Sequence, residues 1–430
     1  MHVRTLLVTG LALFAMFFGA GNLIVPVMIG VDGGSEAWVA ALGFLSTGVL
    51  LPVLSMVALA TKRPDESRLA DRMGTTFGLT VTTLIFLFTG MVYVIPRVGA
   101  VSFEMGAAPI VGSSPLALFT CSAIFFALTL ALALRPNRIV ARIGIVLTPA
   151  LLILLLVLIV AAWNVPLVNV QPKGTFTSSP VVAGFIQGYF TMDALAAQMF
   201  GGVILSSLAA AGFRGRNIHR GTAIAGIMAG AILGIIYLGL VAVGRVGQGS
   251  NGAQVIANVA REMFGSGGQA VFGLIVALAC LTTALGLTGA SVEYFHGLVP
   301  SISRRGWLYI CIGVSFALTN LGLERILAVV APANQLLYPI VIVLVVVTLL
   351  AAGIHRDLYW SYRLPAWVAG GLSVLEAAWS TGMAVAAPLR SVLDFFPFGS
   401  LQMAWVVPAA CALAVGLLLD LRLTKRADVA

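Results

Sequence analysis

The sequence predicts an all-α polytopic membrane protein with twelve transmembrane helices. The first and sixth are interrupted, and the first ten form two inverted repeats of five, followed by two C-terminal helices. Three observations lead there. Of the 430 residues, 60% are apolar and only 9% charged, with a mean hydropathy of +1.06; a soluble domain runs at about 45–50% apolar and roughly 25% charged. The apolar residues fall in twelve runs close to the ~20 residues needed to cross a bilayer. Two of those runs carry glycine-rich interruptions with a polar side chain at mid-depth. This composition excludes a cytosolic enzyme, a secreted disulfide scaffold and a disordered chain.

The runs lie near 5–30, 37–60, 76–101, 115–134, 143–164 and 181–207, then 221–244, 268–295, 307–321, 332–353, 365–388 and 401–420. Arg4 and the apolar run behind it imitate a signal peptide. That run continues past Gly19 to Gly30 without a cleavage site, so it reads as a retained first span. The repeats are assigned to 1–165 and 181–355 and the last two helices to 365–420, which leaves no room for a separate soluble domain. The outer connection after span seven holds an amphipathic stretch, Ala253 to Phe264, expected to lie at the surface. Leu323 to Val330 is expected as a short outer helix broken by Pro332.

The net charge of +9 is topological. With both termini cytoplasmic, the inner segments hold Arg4, Lys62, Arg63, Arg68, Arg72, Arg135, Arg138, Arg142, Arg214, Arg216 and Arg220. They also hold Arg304, Arg305, Arg356, Arg363, Arg422, Lys425 and Arg426, making 18 of the 24 basic residues. Basic residues concentrate on the cytoplasmic side of membrane proteins, so this bias sets the orientation and does not signal nucleic acid. Cys121, Cys280, Cys311 and Cys411 are scattered in apolar runs and read as small buried hydrophobes. No His, Cys or carboxylate grouping has metal-ligand spacing.

The interruptions carry the chemistry. Span one contains Phe17-Phe18-Gly19-Ala20-Gly21-Asn22 and then Pro26; span six contains Gly184, Gly188-Tyr189-Phe190-Thr191-Met192-Asp193 and Gly201-Gly202. Unwound backbone at membrane depth is tolerated only when buried in protein or lining a cavity. Breaks five helices apart are the placement expected of inverted repeats with a midplane site. The half-helix after Gly21-Asn22 directs free N–H groups and a positive dipole end into the gap, which suits a carboxylate. The half-helix ending near Phe18 leaves carbonyls from about Ala15 to Phe18, which suit a cation. Asp193 has no cation nearby in sequence. It reads either as a structural carboxylate with a distant partner or as the counter-charge for an ammonium or a transported cation. On span eight, Ala279, Thr282 and Thr283 share one face. A membrane threonine often bonds back to its own i−4 carbonyl, but an adjacent pair also offers hydroxyl ligands for a hard cation such as Na⁺.

The stretch Phe14-Ala15-Met16-Phe17-Phe18-Gly19-Ala20-Gly21-Asn22-Leu23-Ile24 resembles a signature of the bacterial branched-chain amino acid carriers, the system II leucine/isoleucine/valine cation symporters. Gly188-Tyr189-Phe190-Thr191-Met192-Asp193-Ala194-Leu195 and Leu281-Thr282-Thr283-Ala284-Leu285-Gly286-Leu287-Thr288 resemble two more, as do Asn320-Leu321-Gly322-Leu323 and Tyr338-Pro339. The resemblance covers the whole chain. It implies the inverted-repeat fold of the bacterial sodium/leucine transporters and a multi-pass place in the bacterial cytoplasmic membrane. It implies a sodium site at the carbonyls of Ala15, Phe18 and Ala279 and the hydroxyls of Thr282 and Thr283. It places the substrate carboxylate at Gly19, Ala20, Gly21 and Asn22, with Phe190, Thr191, Asp193, Tyr93 and Leu287 beside the substrate. Asp193 departs from the better-known members of the fold, which often have a small hydroxyl residue there.

The expected function is secondary active import of leucine, isoleucine and valine with Na⁺ by alternating access. Overlapping substrates follow because a methylene is worth only about 1–3 kcal/mol in an apolar pocket. The alternative within transport is proton coupling through Asp193 or Glu293. An intramembrane enzyme would need converging carboxylates, histidines or metal ligands, and a channel would need a charged or carbonyl-lined filter; neither stands out in the sequence. No phosphate-binding loop is present. Arg97 and Glu104 read as an outer gate pair or a snorkelling pair, and Glu293 as an inner gate or an ion-pair partner. Glu376 has no sequence-level account.

Overall fold

Apolar runs separated by glycine, proline and short polar turns form helices throughout. The computed structural model describes residues 3–61, 69–134, 143–163, 171–249, 251–354, 358–380 and 388–427, and no strand occurs among them. The principal helices are α1 (Val3–Phe17), α2 (Ala20–Gly33), α3 (Ala37–Leu45), α4 (Leu51–Leu59), α5 (Thr75–Leu84) and α6 (Val94–Val101). They continue with α7 (Pro115–Ala133), α8 (Thr148–Ala162), α9 (Pro180–Tyr189), α10 (Asp193–Ala210), α11 (Arg216–Val246) and α12 (Gly252–Phe264). The last are α13 (Gly268–Leu298), α14 (Arg304–Thr319), α15 (Leu323–Ile354), α16 (Trp360–Ser380) and α17 (Val406–Ala427).

Eight helical stretches among the described residues are long and apolar enough to cross a membrane. They run over 21–59, 75–111, 115–133, 145–162, 193–210, 216–246, 268–298 and 335–354. Helices α14, α16 and α17, of 16, 21 and 22 residues, cover three further predicted runs. The protein is therefore an all-α polytopic helical bundle. Of the basic residues used for orientation, Lys62, Arg63, Arg68, Arg135, Arg138, Arg142 and Arg356 lie outside the described residues. So do 164–170 and 381–387, parts of an outer connection and of the eleventh run.

Glycines set how closely the helices approach. At the contact of α3 with α9, a Cβ on Gly184 would strike the Ala40 carbonyl, and one on Gly188 would strike the Phe44 carbonyl and the Gly48 amide. Helices α2 and α11 meet the same way, Gly30 against Gly244. Small residues let backbones touch where apolar lipid supplies no hydrophobic drive for helices to associate.

Two expectations change. Helix α15 runs unbroken from Leu323 through Pro332 and Pro339 to Ile354, so no separate outer helix ends at Pro332. Proline removes a hydrogen bond, but neighbouring helices and local adjustment can absorb the loss. Helix α12, capped by Asn251 accepting from the Gln254 amide at 2.9 Å, packs on α2 and α13. Its apolar face, Val255, Ile256, Val259 and Ala260, is buried in protein. Among the cysteines, Cys280 and Cys311 are buried, but Cys121 is half-buried and Cys411 exposed.

The C-terminal helices are tied by one carboxylate. Asp420 on α17 accepts from the amides of Tyr359, Trp360 and Ser361 at 2.9–3.1 Å and from the Ser361 hydroxyl at 2.6 Å. A negative charge is favourable at the start of a helix, here α16, where the amides lack intrahelical acceptors.

Candidate functional site

Helical bonding fails between Phe17 and Ala20. The Phe18 amide still reaches the Phe14 carbonyl at 2.8 Å, but the Gly19 amide turns back to Phe17 at 2.8 Å. An α-helix would have sent the Gly19 amide to Ala15. Gly19 is extended, with φ −88° and ψ 179°, and α2 begins behind it. The first amide of α2 to find a backbone partner is Leu23, on the Gly19 carbonyl at 3.1 Å. The amides of Ala20, Gly21 and Asn22 have no intrahelical acceptor, and Gly19 supplies no side-chain cap.

Span eight uses the released carbonyls. Thr282 Oγ1 lies 2.8 Å from the Ala15 carbonyl and 3.0 Å from that of Ala279, and Thr283 Oγ1 donates to Met16 at 3.0 Å. Both hydroxyls cross to α1 instead of bonding back to an i−4 carbonyl. Ala15, Ala279 and Thr282 thus converge, and Thr283 joins α1 one residue on, at the Met16 carbonyl. The Phe18 ring is fully buried and stacks with Phe14 and Tyr237, centroids 5.5 and 6.1 Å apart.

The second break follows Tyr189. Amides of Phe190, Thr191 and Met192 close onto Ile186, Gly188 and Tyr189 at 3.0–3.3 Å, and the Thr191 hydroxyl donates to Gly188 at 2.8 Å. Met192 takes left-handed backbone, φ 59° and ψ 25°, which side chains other than glycine rarely adopt. Helix α10 then starts at Asp193, which is 6% exposed. Asn22 Nδ2 donates to Asp193 Oδ2 at 2.6 Å and to the Tyr237 hydroxyl at 2.7 Å, using both of its protons. The short bond to the buried carboxylate comes from an amide, and the Arg97 charge acts on it from farther off.

The breaks enclose a cavity of about 40 Å³. Seven residues expected from the sequence line it: Gly19, Asn22, Tyr93, Thr191, Asp193, Thr283 and Leu287. Phe17, Thr89, Val94, Arg97, Val98, Met192, Ala196 and Phe200 complete the wall. Ala15, Phe18, Ala279 and Thr282 are buried outside this lining. A Cβ on Gly21 would lie 3.8 Å from Arg97 Nη2, so Gly21 is at the rim; the backbone of Ala20 precedes it in the same turn. Phe190 is not part of the wall and packs on Tyr189, with ring centroids 5.3 Å apart.

Span three supplies the opposite wall through a third irregularity, which the sequence reading missed. Gly90 (φ −86°, ψ −113°) and Tyr93 (φ −126°, ψ −67°) leave helical geometry, and α6 restarts at Val94. Pro96 adds to the kink because it has no amide proton to donate. Hydroxyls of α14 face the kinked segment: Ser315 donates to the Met91 carbonyl at 3.0 Å, and Thr319 Oγ1 lies 3.0 Å from the Pro96 carbonyl and 2.8 Å from that of Ser315. The spacing Thr89, Tyr93, Arg97, one turn apart, was the available signal for this wall. Tyr237 had no such signal, being one tyrosine in a long apolar helix.

The remaining charged candidates separate. Arg97 and Glu104 form no ion pair; Arg97 lies over the Tyr93 ring, 5.1 Å from its centroid. Glu293 pairs with Arg304. Glu376 accepts the Ala404 amide at 2.7 Å, a structural role in joining α16 to the segment before α17. A second cavity, of about 210 Å³, is lined by Leu59, Phe86, Gln198, Met199, Glu293 and Tyr294 among others.

Comparison with known proteins bears on this arrangement. A solved structure of Mhp1, a nucleobase-cation-symport-1 family transporter in a closed conformation with bromovinylhydantoin bound, is similar with a TM-score of 0.55. At 15% identity, over 98% of this chain and 93% of that one, it shows a shared fold. The branched-chain amino acid permease BrnQ of Corynebacterium glutamicum is 36% identical, covering 98% of this chain and 96% of that protein. The branched-chain amino acid transport system 3 carrier protein of Pseudomonas aeruginosa is also 36% identical, over 99% and 98%. The BrnQ permease of Escherichia coli K12 is 33% identical, over 97% and 96%. The sequence profile of the branched-chain amino acid transport proteins matches residues 2–423, and the chain belongs to that family.

Proposed function

We propose that this protein is a secondary active transporter that imports leucine, isoleucine and valine together with Na⁺ by alternating access. It is not an enzyme: its family is one of transport proteins. The observation that carries the reading is the meeting of the two helix breaks at one cavity, with an acid on one side and free amides on the other. A zwitterion fits this arrangement. Its carboxylate is received at the amides of Ala20, Gly21 and Asn22, and its ammonium by Asp193. Its side chain lies among Phe17, Val94, Val98, Ala196, Phe200 and Leu287, an apolar wall against which polar side chains would lose their hydration.

The neutral oxygens of Ala15, Ala279, Thr282 and Thr283 would hold the cation, with Phe18 as the expected further carbonyl. Such a donor set suits a hard monovalent ion, and two of its members are carbonyls that the break has freed from helical bonding. The bound ion would supply positive charge beside the broken helix. In the same reading the chain has twelve spans, with inverted repeats at 1–165 and 181–355 and two more helices at 365–420. It sits in the bacterial cytoplasmic membrane with both termini inside. The cavity at Glu293 then lies on the inner side of the site, on the exit route.

Proton coupling is the second reading, favoured by the buried Asp193 with Asn22 and Tyr237 against it. Radiolabelled leucine uptake into proteoliposomes decides, under an inward sodium gradient or an inward proton gradient. Accumulation driven by sodium supports the first reading, and accumulation driven only by protons supports the second. No uptake of any branched-chain amino acid under either gradient rejects both.

A further inference from the structure

We infer that Arg97 is the charged partner of the substrate carboxylate and the residue that makes the carrier demand an α-amino acid. The inference rests on the transport reading above and adds a specificity determinant that neither the breaks nor the ion site supplies. Arg97 lines the same cavity as Asp193. Its Nη2 is 3.8 Å from where a Cβ on Gly21 would stand, so the guanidinium lies over the first turn of α2. That turn is the positive end of a helix dipole with three uncapped amides. Two positive groups face each other there, and an anion between them turns the repulsion into a clamp.

The side chain is held in place for that task. The kink at Tyr93 restarts α6, which sets Arg97 one turn further along. Tyr93 is buried, its ring lies 5.1 Å from the guanidinium carbon, and its hydroxyl accepts from Nη1 at 3.3 Å. Among the described residues no carboxylate forms an ion pair with Arg97: Asp193 is bonded by Asn22 and feels the guanidinium only across the cavity, and Glu104 forms no ion pair with it. A snorkelling arginine would turn its head to the membrane surface; this one points at the cavity. A guanidinium presents a planar fork that matches a carboxylate through two parallel hydrogen bonds. With Asp193 on the same cavity, the α-carboxylate and α-ammonium are both fixed, and the side chain is left to the apolar wall.

The test compares L-leucine with L-leucinamide, which keeps the ammonium and side chain but lacks the anionic carboxylate. Affinities are measured on purified wild type, Arg97→Lys and Arg97→Gln, each first checked for a monodisperse elution profile. In Arg97→Gln, leucine binding is expected to weaken about 10- to 100-fold, while leucinamide changes less than about threefold. Arg97→Lys, which keeps the charge without the fork, should fall between. Equal weakening of both ligands, or unchanged leucine affinity in Arg97→Gln, overturns the inference while leaving the transport reading intact. Wild type that binds no branched-chain amino acid overturns both. A measurement on wild type guards against misfolded variants. Leucine, but not leucinamide, should protect Arg97 from phenylglyoxal, read by peptide mass spectrometry; equal protection by both overturns the inference.

Discussion

Asn22 donates to the Asp193 carboxylate at 2.6 Å across 171 residues of chain, and with its second proton reaches the Tyr237 hydroxyl at 2.7 Å. One amide therefore joins the two helix breaks to each other and to α11. An isolated carboxylate in a membrane interior is costly; here a fixed amide donor and the Arg97 guanidinium on the same cavity lower that cost, with no direct ion pair between the two charges. The acid remains able to meet a second positive group, as a transport site requires.

Replacing Asp193 by Asn removes the charge and should reduce leucine affinity about 10- to 100-fold, the usual range for losing a charged hydrogen bond. Tyr237→Phe leaves the charge but takes away the second acceptor of Asn22. It should lower the melting temperature and leave the coupling ion unchanged. Binding isotherms and thermal unfolding in detergent check the pair; a Tyr237→Phe variant with the affinity loss of Asp193→Asn would contradict the division of roles.

Thr282→Ala and Thr283→Ala should each abolish sodium stimulation of uptake. Each also leaves a buried carbonyl, Ala15 or Met16, without its hydroxyl donor, at a cost of about 1–3 kcal/mol. Uptake at fixed proton gradient with and without sodium is the measurement. Retained sodium dependence in both variants would remove the ion from this site.

Glycine substitutions should divide by what a methyl group would meet. On Gly184 it would land on the Ala40 carbonyl, whereas on Gly202 it meets nothing within 4 Å. Gly184→Ala should forfeit about 1–3 kcal/mol or more through overpacking and depress the yield of folded protein, and Gly202→Ala should behave as wild type. Fluorescence-detected size exclusion distinguishes them; equal profiles would argue against the close approach of α3 and α9.

Met192 carries its left-handed backbone without glycine's freedom. Met192→Gly should relieve about 1 kcal/mol of local strain but give up apolar contact and chain entropy of similar size, leaving the melting temperature nearly unchanged. Met192→Val, β-branched, should lower it. A reversed order would mean that the break does not hold this residue at positive φ.

The membrane class and the helical architecture were legible in the sequence because they depend on local properties. Twenty apolar residues make a span, and Gly-Ala-Gly-Asn or Thr-Met-Asp inside one cannot remain a regular helix. Seven of the residues singled out there, by their chemistry or by the family resemblance, line one cavity. What lay beyond the sequence depends on partners remote in the chain. The assignment of Thr283 to Met16, the place of Phe190 outside the wall, the Tyr237 contact and the kink at Gly90 with Ser315 and Thr319 against it all depend on which helix faces which. The same holds for Glu376 on the Ala404 amide and for Asp420 on the start of α16. A side chain's type states what it can bond; only packing, set here by glycine contacts such as Gly184 on Ala40 and Gly30 on Gly244, decides which atom comes within reach.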